Sequence, residues 1–316
     1  MHNLLDVDTF TRDHIDRVMK KAQDMEQIQR TSDLEGITIC NLFFEPSTRT
    51  IVSFEIAGKS LGGQVLNVSQ NTSSVVKGES IVDTVKTLSA MGVNVFVIRH
   101  PSVGMPYFVA QHTKPHIINA GDGDHAHPTQ ALIDAYVLQR HLGDLKAKNI
   151  VIVGDVPHSR VAKSNIYILN TLGAIVTLVI PDYFFVPDFQ SVSSAHSKQW
   201  ENPYELPCVQ YEPNLNRALT KADAVIVLRI QNERLSRKTT YSKKQYISNY
   251  QINEQRMQHA QPHTLILHPG PINQGVEITP EVAYGAQSCI EEQVSAGVAI
   301  RKSILTLIAR EYIDKN

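Results

Sequence analysis

Phe43-Phe44-Glu45-Pro46-Ser47-Thr48-Arg49-Thr50 divides two segments of different periodicity. Before it, Ile37-Thr38-Ile39-Cys40-Asn41-Leu42 is short and rich in β-branched residues, which predicts a buried strand. After it, Ile51 to Leu61 carries apolar residues at helical spacing, and Pro46 and Ser47 stand at the junction, where helices start. Backbone N–H groups at a helix N-terminus, with hydroxyls and one guanidinium beside them, make an anion pocket suited above all to phosphate. The alternative is a capped helix with a surface arginine; four donor residues in a row after a core strand weigh against it.

The same alternation extends in both directions. Residues 11–29 read as an amphipathic helix through Ile15, Val18, Met19, Ala22, Met25 and Ile28. Strands are expected at Gln64–Val68, Val93–Ile98 and Ile117–Ala120, with a helix from Ser80 to Met91, a polar loop from Ser69 to Glu79, and a helix from about Thr129 to His141. The pattern then restarts, with strands at Ile150–Val153, Ile175–Ile180, Ala224–Leu228 and Leu265–Leu267, and a helix from Val161 to Leu172. Ser288 to Tyr312 is one long amphipathic helix. This predicts an α/β protein: two doubly wound parallel-sheet domains joined by a hinge near residue 135, the C-terminal helix packing back on the first. The expected division is 1–134 plus 287–316, and 135–286.

Bulk properties narrow the function. The 316 residues are 42% hydrophobic and 19% charged with a net charge of -1, which gives no electrostatic footprint for nucleic acid or an anionic membrane. No apolar run reaches the ~20 residues of a membrane span. The N-terminus has no basic region ahead of an apolar core, so no signal peptide is expected. Cys40, Cys208 and Cys289 are scattered without CxxC pairing, as reduced thiols of a cytoplasmic protein would be.

Ligands of such sheets bind at the carboxyl ends of strands. Ser47–Thr50, Arg99-His100, His127–Gln130, Gly154–Arg160, Arg229 with Gln231, and His268–Pro271 all follow predicted strands. Arginines, histidines and hydroxyls at six strand ends suit a polyanion. The turn after Val153 has one glycine where a dinucleotide fingerprint needs three, and no GxxxxGK[ST] occurs. His125-Ala126-His127 lacks a third ligand, so no metal is expected there. Without a Gly-x-Ser-x-Gly elbow or a cysteine at a polar strand end, covalent catalysis is not expected. Group transfer by positioning and electrostatics remains.

The motifs Phe-x-x-Ser-Thr-Arg-Thr at Phe44–Thr50 and His-Pro-Thr-Gln at His127–Gln130 resemble the carbamoyltransferases. Ser73–Glu79, Arg229–Arg234 and His268–Pro271 are similar to the aspartate-specific branch, the catalytic chains of aspartate carbamoyltransferase, over residues 5–310. The resemblance implies that the first domain binds carbamoyl phosphate and the second aspartate, giving N-carbamoyl-L-aspartate for pyrimidine synthesis, with no cofactor. It implies that Ser47, Thr48, Arg49 and Thr50 hold the phosphate. Thr50, Arg99 and His127 would donate to the carbamoyl oxygen. Gln130 and the main chain at Pro269-Gly270-Pro271 would hold the carbamoyl amino group, and Arg160, Arg229 and Gln231 the aspartate carboxylates. Ser73 and Lys77 would arrive from a neighbouring chain, so that active sites are shared in a homotrimer. In the family, trimers pair with regulatory chains, join a dihydroorotase or stand alone; the sequence does not choose.

Some residues keep plainer readings. His100 and His158 are expected to be structural, and Arg234–Lys244 a solvated loop. Ile51 stands where the family often has a basic residue, and Ile272-Asn273-Gln274 where an arginine is common. These departures motivate one competing reading, an inactive scaffold subunit; retention of Arg49, Thr50, Lys77, Arg99 and His127 opposes it. An ornithine-type enzyme is the other; it would need a His-Cys-Leu-Pro motif where this chain has His268-Pro269-Gly270-Pro271.

Overall fold

A computed structural model describes residues 1–69, 78–184, 207–230 and 242–313, the last four by main chain only. The chain forms two compact units, Met1–Ile133 with Val294–Asn316, and Asp134–Gln293.

The first unit runs α1 (Arg12–Glu26), β1 (Thr38–Phe43), α2 (Thr48–Ser60), β2 (Gln64–Ser69), α3 (Ile81–Ala90), β3 (Val95–His100), α4 (Met105–His112) and β4 (His116–Asp122), then enters α5 (Pro128–Leu142). Its four strands are parallel in the order β2-β1-β3-β4. Cys40, Leu42, Phe96, Ile98 and Ile117 alternate into one apolar cluster with Ile81 and Val85 of α3 and Val109 of α4. Helix α2 lies close on the sheet because residue 58 is glycine: a Cβ there would stand 2.7 Å from Val65 and 2.9 Å from Ile39.

The second unit runs β5 (Asn149–Val153), α6 (Arg160–Thr171), β6 (Ile175–Val179), β7 (Gln210–Tyr211), α7 (Leu215–Leu219), β8 (Ala224–Val227), α8 (Lys243–Tyr250), α9 (Glu254–Met257), β9 (Leu265–Leu267) and α10 (Pro280–Ala283), then enters α11 (Ile290–Ile313). The sheet is again parallel, in the order β7-β6-β5-β8-β9. Val151, Val153, Val225, Val227 and Ile266 build its core with Leu215 and Leu219 of α7.

The expected two-sheet α/β class holds. The long C-terminal helix is present, and its later turns pack within the first unit. Ser303 Oγ donates to Val18 O at 2.8 Å, Lys302 Nζ to Ile28 O at 2.6 Å, and the Arg301 guanidinium lies 5.1 Å from the Phe54 ring centre. Differences are local. Val93 precedes its strand rather than starting it, α4 and the short helices α7 to α10 are additional, and Leu4 pairs with Ile118 alongside β4.

Candidate active site

Each sheet reverses its winding once. In the first, β1 is followed by β2 on one side and β3 on the other; in the second, β5 is followed by β6 on one side and β8 on the other. Loops leaving two such strands diverge and open a crevice at their carboxyl ends. Ser47–Thr50, Arg99, Arg160 and Arg229 stand at these two switch points, with His127–Gln130 and His268–Pro271 at the ends of the adjoining edge strands.

In the first unit, Ser47 is the N-cap of α2, with φ −162° and ψ 89°. Its hydroxyl caps no backbone group; it donates instead to Thr50 Oγ1 at 2.9 Å. The N-cap side chain thus leaves the N–H groups that open α2 to other partners, at the positive end of the helix dipole, which favours an anion. Thr48 and Arg49 are exposed and Thr50 is buried. Arg99 is level with Phe43 in the β1–β3 register, and Phe44 N donates to Arg99 O at 2.8 Å, so the guanidinium starts beside the Ser47–Thr50 turn. Arg99 Nε lies 3.4 Å from Glu45 Oε2, and Nη1 donates to Ala120 O at 3.3 Å. His127 is buried where α5 begins and accepts the Gln130 and Ala131 N–H groups on its carbonyl, at 3.0 and 3.3 Å. The structure thus brings Ser47–Thr50, Arg99 and His127–Gln130 to neighbouring strand ends on one side of one sheet.

A carboxylate that sequence reasoning passed over organises this edge. Asp122, fully buried, accepts from Gly104 N at 2.7 Å, Asn119 Nδ2 at 2.8 Å, Ala126 N at 3.2 Å and His125 Nδ1 at 3.1 Å. Burial alone would raise its pKa; the bonds from His125, Asn119 and Gly104 outweigh it and hold the carboxyl below the usual range. On the imidazole's far side, Asp6 Oδ2 lies 3.6 Å from His125 Nε2. Burial dominates at Asp6 and pushes it up to about 7. His125 is therefore a structural bridge between two acids. Its neighbour His100 packs on Phe44 at 5.0 Å and accepts from Ser102 N at 2.9 Å; burial lowers its pKa.

In the second unit, Arg160 opens α6 and is 4% exposed, with Ser159 as N-cap accepting from Ala162 N at 3.2 Å. Gly154, the residue after β5, has φ +127°, and a Cβ there would meet Leu228 Cβ at 3.1 Å. Only glycine serves at that contact. Asp155 is raised by burial, against His158 Nδ1 at 2.7 Å. Arg229 is half-buried just past β8, across the switch point from Arg160.

His268 and Glu277 complete the edge after β9. His268 Nδ1 accepts the Gly270 N–H at 2.8 Å, so Nε2 carries the proton and donates to Glu277 Oε1 at 3.1 Å, both side chains fully buried. Glu277 Oε1 also accepts from Asn273 N at 2.7 Å, while Asn273 Nδ2 donates to Ile230 O at 3.2 Å. The Ile272-Asn273-Gln274 departure is thus built into the loop and tied to the strand end that bears Arg229. His268 N donates to Gln293 Oε1 at 2.9 Å, and Gln293 Nε2 to Asp134 Oδ1 at 2.7 Å. Glu277, Gln293 and Asp134 gave no signal in the sequence, because no strand end or motif marks them. Ser73, Lys77 and Gln231 lie outside the described residues.

Two family models match the chain. Residues 2–140 match the carbamoyl-P binding domain of aspartate/ornithine carbamoyltransferases, and residues 146–308 the Asp/Orn binding domain. The chain is 43% identical to the aspartate carbamoyltransferase catalytic subunit of Roseiflexus castenholzii over 98% of this chain and 95% of that one. The corresponding subunit of Sorangium cellulosum is also 43% identical, over 98% and 93%. Among solved structures, the aspartate transcarbamoylase of Trypanosoma cruzi in complex with carbamoyl phosphate and aspartate superposes with a TM-score of 0.84 at 26% identity, covering 96% of this chain and 95% of that one. The ornithine carbamoyltransferase of Pyrococcus furiosus gives the same TM-score and identity, over 97% and 96%. Backbone shape alone therefore does not separate the two acceptors; the relatives at 43% identity are both aspartate carbamoyltransferase catalytic subunits.

Proposed function

The chain belongs to the aspartate/ornithine carbamoyltransferase family, and from that premise we propose that it transfers the carbamoyl group of carbamoyl phosphate to the amino group of L-aspartate. The products are N-carbamoyl-L-aspartate and phosphate, a step of pyrimidine synthesis. One observation carries the choice of acceptor. The second sheet's switch point is flanked by two arginines, Arg160 and Arg229, which suit a dicarboxylate and disfavour the side-chain ammonium of ornithine.

In this reading the start of α2, with Ser47, Thr48 and Arg49, binds the phosphate. The aspartate amine attacks the carbamoyl carbon, and negative charge grows on the carbamoyl oxygen. Thr50, Arg99 and His127 donate to that oxygen; one such donor is typically worth ~100- to 1,000-fold in rate. Gln130 and the Pro269–Pro271 main chain orient the carbamoyl nitrogen, and Gln231 joins the two arginines on aspartate. The C–O bond to phosphate then breaks, and the departing dianion takes the amine proton, so no protein base is required. Purified chain given both substrates should form carbamoyl aspartate in a colorimetric assay. No product at saturation, or preference for ornithine over aspartate, overturns the reading.

A homotrimer with shared sites is part of the proposal. Val52 and Ile56, four residues apart on α2, and Leu66 on β2 are exposed apolar side chains, and Asn67 Nδ2 ties the two elements together through Glu55 Oε2 at 2.8 Å. Strand β2 ends the sheet and leads directly into the segment holding Ser73 and Lys77. An apolar edge that immediately precedes that segment in the chain favours delivery of Lys77 to a neighbour. Cys40, Cys208 and Cys289 are all free thiols, which fits work in the cytoplasm.

A further inference from the structure

Away from the strand ends, three donors of different chemistry converge in the second unit. His141 lies in the last turn of α5, Cys289 just before α11, and Glu292 in the first turn of α11. An imidazole nitrogen, a sulfur and a carboxylate oxygen from these residues lie within 4.8 Å of one another. His141 Nε2 is 2.6 Å from Glu292 Oε2, while Arg140 Nε lies 3.4 Å from the other oxygen, Oε1. Cys289 is buried, Glu292 half-buried and His141 exposed, so the cluster has a closed sulfur side and an open side.

We propose that His141, Cys289 and Glu292 form a binding site for a divalent transition metal of the zinc class, with water as the fourth ligand. A thiolate, an imidazole and a carboxylate are the donor types such ions take, and the mixture disfavours magnesium and calcium, which select oxygen alone. Bonds of ~2.0–2.3 Å in a tetrahedron place donors roughly 3.5 Å apart. The observed separations, from 2.6 Å for His141–Glu292 to at most 4.8 Å, bracket that spacing. Arg140 Nε holds Glu292 by its Oε1, and Oε2 is the oxygen that meets His141.

The protons balance simply. As the ion takes the place of the hydrogen between Nε2 and Oε2, the neutral imidazole carries its single proton on Nδ1 instead, and the Cys289 thiol releases one proton to solvent, so one proton leaves per ion bound. The bound ion would clip α5 to α11, the two helices that run from one compact unit into the other. Its effect is on stability, independent of the carbamoyl chemistry.

The test is a cobalt titration of the full chain. A thiolate-to-cobalt absorption band should grow to saturation at one ion per chain, bleach when Zn²⁺ is added, and accompany a rise in melting temperature. Cys289→Ser should abolish the band, His141→Ala should weaken binding by ~10-fold or more, and Cys208→Ala should change nothing. Absence of the band at saturating cobalt, its survival in Cys289→Ser, or its loss in Cys208→Ala overturns the proposal. If Cys289→Ser does not fold, the exposed His141→Ala variant decides alone: unchanged affinity there refutes the site.

Discussion

The Asp122 carboxylate accepts the Gly104 N–H at 2.7 Å and thereby fastens the turn after β3 to the turn after β4. Arg99 is the penultimate residue of the first of these strands and His127 follows the second. Asp122→Asn replaces one acceptor by a donor facing groups that already donate, at a cost of about 1.5–3 kcal/mol. Small displacements of positioned donors cost up to ~100-fold in rate. We expect kcat to fall by ~10- to 100-fold and the melting temperature to drop together. An unchanged kcat would show that Arg99 and His127 hold their places without it.

Arg229 and Arg160 follow the two strands of one switch point, yet Arg229→Ala should separate the two substrates. Loss of one partner of a buried charge pair costs roughly 2–5 kcal/mol. The KM for aspartate should rise and kcat fall, with carbamoyl phosphate binding by calorimetry unaltered. Equal weakening of both substrates contradicts the assignment.

Asp6 gives a pH signature. Its carboxyl, raised by burial from 3.8 to about 7, holds its proton in the folded chain after the unfolded chain has lost it. The sign follows: its contribution is fully present below the unfolded value and is lost as pH rises towards about 7. Asp6→Asn cannot ionise and can still accept the Val7 N–H, so it should be the more stable protein at about pH 8, by on the order of 3 kcal/mol. The two melting curves should converge only below about pH 4, under the unfolded value of 3.8. Parallel curves across that range would rule this out.

Shared sites can be tested by complementation. Arg49→Ala and Lys77→Ala chains, each nearly inactive, are mixed under conditions that exchange subunits. A hybrid trimer contains interfaces where an intact Lys77 meets an intact Arg49, and part of the activity should return. No recovery, with exchange confirmed by mass, refutes the trimer.

Much of the fold was legible because parallel strands buried on both faces read as unbroken apolar runs. Ile150–Val153, Ala224–Leu228 and Leu265–Leu267 fall within a residue of the observed strands. Donors such as Ser47, Arg99 and Arg160 could be found because strand ends announce them. Helix α4 escaped because Met105-Pro106-Tyr107-Phe108 is too short a pattern to show helical periodicity. Glu277 and Asp122 escaped for a different reason. Their significance lies in groups that approach from elsewhere in the fold, Glu277 from His268 and Asn273, Asp122 from Gly104 and Ala126. A one-dimensional pattern carries no trace of that convergence.

Strand β2 closes one side of its sheet, and among the described residues no other strand pairs with its outer edge. A row of backbone donors and acceptors flanked by Leu66 invites any extended chain to add itself there, including a misfolded copy of the same protein. Dilution or overexpression without assembly would leave that invitation open. The chain's yield in recombinant culture should therefore depend on how quickly the edge is covered, and charged substitutions at Leu66 should rescue lone chains from precipitating while depriving them of their companions.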